Sequence, residues 1–268
     1  MPRITCVSIY RLLDELELDS ATLTAMEQSR LYSTLVAATH QVELISGRFL
    51  MPRSLSIPHM VQRPASAELL LDEDLLELQS VTNGDSSPIP LDSLEQVDCG
   101  LLYALDGYQF LRDNRGKAQP VVVQGIWGWH DAWSEAWRAS QDRVDGTLTP
   151  YSTSVIPVMD ADASDPVDGT PRFQPGQLLK IGGEYMALQA VDAEENTLRV
   201  LRGQLGTSIA THEVGSAIHI YNPPPYLESL IVRWAVWLYQ LPQYRQRTSV
   251  PADLMLEANA LRRVSVKS

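Results

Sequence analysis

Four aspartates and a serine, Asp160, Asp162, Ser164, Asp165 and Asp168, crowd one short stretch of the sequence. Hard cations such as calcium take several oxygen ligands from a short flexible segment, so these residue types invite a calcium-loop reading. The spacing fails that chemistry twice. Counted from Asp160, the position where a glycine makes the sharp turn holds Asp165, and the position that needs a bidentate glutamate holds Pro171. A solvated acidic connection accounts for the same residues without a metal. His130 beside Asp131 and His212 beside Glu213 offer acid–base types, but sequence neighbours point apart and no nucleophile signature accompanies them. Both histidines are expected to be structural. Gly182-Gly183 and the Gly203–Gly206 pair lack the spacing of a phosphate-cradling loop that opens a helix, and they read as turn residues. The sequence therefore predicts no catalytic residue, no cofactor site and no metal site, and a chain that is not an enzyme.

The tryptophans are the other chemically suggestive group. Trp127, Trp129, Trp133 and Trp137 could stack on sugars or bases, since aromatic faces serve both ligands. The blander alternative is a stripe that packs in the core or at a subunit interface, because Trp129, Trp133 and Trp137 recur at helical i, i+4 spacing. The second reading is preferred, with Trp234 of a later helix as a further core or interface aromatic.

Composition narrows the function class. With 268 residues at 44% apolar content the chain can bury a sizeable core. Its formal charge of −12 disfavours a protein that grips nucleic acid by neutralising phosphates, though an acidic wall past which DNA slides is compatible with it. Cys6 and Cys99 belong to no CxxC or Cys/His cluster, which points away from a zinc site and fits a reducing compartment. No apolar run has the length of a signal peptide or a membrane span, so cytosolic synthesis and no membrane partner are expected.

These residues need elements to position them. Ser8 can cap a short helix through Leu12, Leu13 and Leu16. Thr24-Ala-Met-Glu27 has capping-box spacing, and Leu31, Leu35, Ala38, Val42, Ile45 and Phe49 recur every three or four residues, so a long helix should follow, with Gly47 where it would stop. Between Ser54 and Pro120 short apolar pieces separated by polar turns predict strands and hairpins, and Val121–Trp129 then gives a buried strand leading into a glycine-bounded aromatic corner. From Phe173 to Asn222, turn-bounded apolar runs predict a compact all-β module, with a tight hairpin at Gly182-Gly183 and a turn at Asp192–Asn196. A closing helix carries Leu227, Leu230, Ile231, Trp234, Leu238 and Leu241 on one face. The expected class is α+β: a helical bundle with short strands and an inserted small barrel- or sandwich-like module. The expected organisation is a first core segment at 1–150, an acidic linker at 151–170, the removable module at 171–221, and a closing helix with a basic arm at 222–268. That arm, from Gln243, is expected to be poorly ordered on its own.

The module, running from Pro175-Gly-Gln through Ile181-Gly-Gly-Glu-Tyr-Met to Val200-Leu-Arg-Gly-Gln-Leu-Gly-Thr and Ile218-His-Ile-Tyr221, resembles a β module of tailed-phage structural proteins. The long helix ending in Gly47-Arg48-Phe49, the proline-bounded stretch after it, Leu75–Gly84, Val121–Trp129 and the closing helix resemble the head-to-tail adaptor, or connector, family of long-tailed bacteriophages. The insertion at 171–221 is a departure from the smallest adaptors. The resemblance implies a ring, usually twelvefold, beneath the portal protein, which passes genomic DNA through its lumen without sequence-specific binding and receives a tail completion or stopper protein. It implies a place in the neck of the virion, reached from the host cytoplasm during assembly. It also implies that the basic carboxy-terminal arm reaches the portal, making Arg245, Arg247, Arg262, Arg263 and Lys267 the portal-contact candidates. A rival from another class is a tail or baseplate module that contacts carbohydrate or a receptor through the β insertion.

Overall fold

A computed structural model describes residues 4–61, 63–111, 119–151, 154–165, 169–240 and 249–263. The chain is an α+β protein. It begins with helix α1 (Ile9–Glu15), where the Ser8 hydroxyl accepts a hydrogen bond from the Tyr10 N–H at 3.1 Å. Helix α2 (Ala25–Ser46) starts at a reciprocal capping box. The Glu27 N–H donates to Thr24 Oγ1 at 3.3 Å, and the Thr24 N–H donates to Glu27 Oε2 at 2.8 Å. It stops at Gly47, whose φ of 67° is the left-handed conformation that a glycine adopts without steric cost.

Nine strands follow: β1 (Arg53–His59), β2 (Ala65–Ser66), β3 (Glu68–Leu70), β4 (Leu75–Thr82), β5 (Pro88–Ile89), β6 (Leu94–Asp98), β7 (Leu101–Ala104), β8 (Phe110–Leu111) and β9 (Val121–Trp127). They form an antiparallel sheet of order β1-β9-β4-β5, a three-stranded sheet β3-β7-β6 and the pair β2-β8. Central β9 is the β-branched run foreseen as a buried strand. Its Gly125 lets β4 come close, because a Cβ there would lie 2.4 Å from the Glu77 carbonyl oxygen. The remaining strands, β10 (Trp137–Arg143), β11 (Val155–Pro157), β12 (Leu178–Ile181), β13 (Glu184–Asp192), β14 (Thr197–Leu201) and β15 (Ala217–Tyr221), make one sheet of order β10-β15-β12-β13-β14-β11. Helices α3 (Pro225–Gln240) and α4 (Ala252–Ala260) end the described chain.

Two compact units result. One comprises Met1–Gly47 with Asp131–Arg262, and the other Arg48–His130 with Arg263–Ser268. In the first, α3 packs along α2 and touches α1 and α4. Both hairpin turns of its sheet lie where the sequence puts them: Ile181 pairs with Glu184 across Gly182-Gly183, and Asp192 pairs with Thr197.

The structure departs from the sequence expectations at three places. The tryptophans do not lie on a helix: Trp127 ends β9, Trp133 sits in a 3-10 turn and Trp137 starts β10. A spacing of four is also two full strand pleats, so it did not distinguish the periods. The β module does not begin at 171. Strand β10 pairs with β15 and β11 with β14, and Val144, Leu148, Ile156 and Val158 share one buried cluster with Leu179, Ile181, Met186 and Leu198. A cut at 171 removes four of the six strands and leaves β10 and β11 without partners. Finally, the carboxy-terminal segment contains α4, with Leu254 and Ala258 buried. Pro251 stands immediately before its first turn, where the fixed φ of proline starts a helix instead of blocking one.

Candidate functional site

The densest polar cluster of the first unit is built on the Gly182-Gly183 hairpin. The turn sets Glu184 at the start of β13, a strand buried on both faces, and its side chain is completely enclosed. Arg202, just past β14, grips the carboxylate with the Nε–Nη2 edge of its guanidinium, Nε to Oε1 at 3.0 Å and Nη2 to Oε2 at 2.7 Å. The Gly203 and Ala210 N–H groups donate to it at 3.0 Å each, and His212 Nε2 lies 2.9 Å from Oε2. Arg202 spends its other donors on the Thr149 and Ala210 carbonyls. Burial alone would raise the pKa of Glu184, but the hydrogen bonds from Arg202, Ala210 and His212 outweigh it and hold the pKa below the ordinary carboxylate value. A carboxylate so fully engaged has no lone pair to offer a substrate proton, so the cluster ties together three loops of the sheet. His212 is thus a structural histidine, but its partner is Glu184 and not its neighbour Glu213. A glutamate inside the apolar run Tyr185–Leu188 and its preceding strand was the available signal for this cluster.

The acidic stretch is distributed over separate partners. Asp142, at a bulge in β10, accepts from the backbone N–H groups of Arg143 at 2.6 Å, Met159 at 3.1 Å and Asp160 at 3.2 Å, and lies 3.4 Å from Arg172. Asp160 approaches the same arginine at 3.8 Å, while buried Asp165 pairs with Arg138. Asp162 and Ser164 are exposed, and Asp168 lies outside the described residues. Asp160 and Asp165 are thus each met by an arginine.

Around Trp137 the rings of Tyr185, Tyr221 and Trp133 stand at centroid distances of 4.9, 5.5 and 6.3 Å, and Lys180 Nζ sits 5.1 Å from its centroid. Both tyrosines are buried and the two tryptophans half-buried, with the neighbouring rings tilted or edge-on to Trp137. Trp127 is buried and donates from Nε1 to the Leu55 carbonyl at 2.9 Å, Trp234 is buried edge-on to Trp237, and Trp129 is half-buried with the Arg48 guanidinium 5.9 Å from its ring. The core reading holds for Trp127 and Trp234.

Of the portal-contact candidates, Arg245, Arg247 and Lys267 lie outside the described residues. Arg262 is exposed. Arg263 is largely enclosed, donates to the Leu71 carbonyl and lies 3.6 Å from Asp74, which Arg48 also contacts at 2.9 Å. One carboxylate thus serves two guanidinium groups in the second unit. Comparison with known protein families, curated proteins and solved structures found no match. A cleft of about 290 Å³ in the first unit, lined by Ser8, Arg11, Arg138, Asp165, Asn222 and Glu228, brings its charges already paired: Arg11 with Glu228 at 3.3 Å and Arg138 with Asp165. Among the described residues, no helix is long and apolar enough to cross a membrane.

Proposed function

We propose that this chain is a structural head-to-tail adaptor of a tailed phage, assembling into a ring beneath the portal through which genomic DNA passes. The observation that carries the reading is that each stretch resembling the adaptor family is built around one helix or strand, and that these elements meet in pairs. The long capped helix α2 ends at Gly47 and packs with the closing helix α3. The proline-bounded β1 and the Leu75–Thr82 strand β4 flank β9, whose end forms the glycine-bounded Trp127–Trp129 corner. The polar clusters support an architectural role as well, because the buried carboxylates are engaged by arginines that fix loops. The net charge of −12 per chain gives a ring of twelve about −140 formal charges, a field under which DNA slides without sticking.

The test is assembly. The purified chain is mixed with the portal protein of its phage and imaged by negative stain, with mass photometry of the same mixture. The expected result is a closed ring of about twelve subunits seated on one face of the portal. A chain that stays unassembled in the presence of portal overturns the proposal.

A further inference from the structure

The solvent face of α2 has an unusual composition. Met26, Ser29, Ser33, Ala37, His40 and Leu44 follow one another at three- and four-residue steps along its outer side, and all are exposed. In an amphipathic helix that line is where lysine and glutamate belong. Here it carries no Asp, Glu, Lys or Arg over about 27 Å of helix, in a chain of which 20% is charged. Glu27 and Glu43 fall on opposite flanks, and Arg30 turns aside to hydrogen-bond the Tyr239 carbonyl and stack on its ring. Large apolar side chains stand at the two ends, Met26 at 80% exposure and Leu44 at 65%.

We infer that this face is the contact surface for a second copy of this chain, α2 against α2 in antiparallel orientation. Self-complementarity selects that occupant. The residues Met26, Ser33, Ala37 and Leu44 are spaced seven, four and seven apart, so the line reads large, small, small, large in either direction. In an antiparallel pair Met26 meets Leu44 of the second copy at each end, and Ser33 meets its Ala37 in the middle, where small side chains let two helix axes approach closely. Like flanks face one another in such a pair, so Glu43 of one copy does not meet Glu27 of the other. The opposed helix dipoles add to this preference. Charge selects the same solution: two chains of −12 repel wherever their acidic surfaces face, and the uncharged line is where they can touch. A helix pair of this length buries less than the roughly 1,200 Å² of a standard interface, so the dimer is reversible. It is an isologous contact, distinct from the head-to-tail contacts of a ring and independent of whether the chain joins one.

Sedimentation velocity of the full chain, without portal, across a micromolar to millimolar series tests the inference. The wild type is expected to pass from monomer to dimer and to associate more tightly as salt rises, since salt screens the repulsion while the contact itself carries no ion pair. Ala37→Glu, exposed in the monomer and therefore expected to melt like the wild type, should remain monomeric at every concentration. Orientation is read in a Cys99→Ser background, Cys6 being buried: mixing the Ser33→Cys and Ala37→Cys proteins under oxidation should give mostly the mixed disulfide. A wild type that is monomeric throughout, an Ala37→Glu variant that associates equally well, or a predominance of Ser33–Ser33 position cross-links overturns it.

Discussion

Replacing Glu184 with alanine should be among the most damaging single changes the first unit can suffer. The substitution leaves the Arg202 guanidinium, whose side chain is 4% exposed, without its carboxylate, and strips the Gly203 and Ala210 N–H groups of their acceptor. Breaking a buried ion pair by removing one partner costs about 3–5 kcal/mol, because a desolvated charge is left uncompensated. For a unit of this size that corresponds to a fall in Tm of about 6–20 °C. The assay is urea and thermal unfolding followed by tryptophan fluorescence, where Trp137 beside Tyr185 reports on the same sheet. Arg202→Ala should cost a similar amount, and the double variant much less than the two losses added, since the second substitution removes the charge that the first left stranded. The pH dependence has a definite sign. The folded pKa of Glu184 is held below its ordinary value, so its stabilisation is fully present above about pH 4.3 and is lost as pH falls through the folded value. The gap between wild type and Glu184→Ala should therefore close in acid. Strict additivity of the two single losses, or a variant within about 0.5 kcal/mol of wild type at neutral pH, would refute the account of this cluster.

Two further outcomes concern the second unit. His59 is buried, and burial holds its pKa below the ordinary histidine value despite the opposing pull of Asp72. The unfolded chain therefore takes up a proton below about pH 6.5 that the folded unit refuses. Stability should fall as pH drops through that window, by at most about 1.4 kcal/mol per pH unit from this group, and His59→Gln should flatten the slope of the urea midpoint between pH 7.5 and 5.5; an unchanged slope contradicts it. Arg262→Ala and Arg263→Ala should separate two roles: the second destabilises the unit by weakening the Asp74 pair, whereas the first leaves unfolding unchanged and, on the adaptor reading, weakens portal binding most at low salt. Equal unfolding curves for the two variants would show that the Arg263 contact contributes nothing.

What the sequence disclosed and what it hid divide along contact distance. The capping box at Thr24 and Glu27, the stop at Gly47, and the hairpins at Gly182-Gly183 and Asp192–Asn196 are local chemistry, readable because a few adjacent residues determine them. The membership of β10 in the six-stranded sheet depends on Trp137 pairing with Tyr221, and that of β11 on Val155 pairing with Arg199. Nothing near Trp137 or Val155 announces those partners, and the polar, acidic chain around Ile156 disguised it as part of an acidic linker. The Glu184 cluster was hidden for the same reason: its donors come from residues 202, 203, 210 and 212, each an unremarkable turn or loop position until the sheet gathers them.

The buried carboxylates share a chemistry that bears on function. Among the described residues Asp74, Asp142, Asp165 and Glu184 are the buried acids, and each is met by arginine: Arg48 and Arg263, Arg172, Arg138, and Arg202. Arginine suits that task because its planar, weakly hydrated fork can satisfy a carboxylate from two sides at a smaller desolvation cost than a lysine ammonium. The allocation has an outward consequence. Five arginines are committed to these four acids, so the net charge of −12 is borne by a surface poorer in cations than the composition alone implies. A surface of that kind repels a phosphate backbone and other copies of itself, so a contact between copies is favoured along uncharged lines such as the outer face of α2. It also means that Arg263, counted by sequence among the cations of a free arm, is already committed to Asp74. On the adaptor reading, an electrostatic grip on a portal is therefore drawn from Arg262, Arg245, Arg247 and Lys267 and not from Arg263.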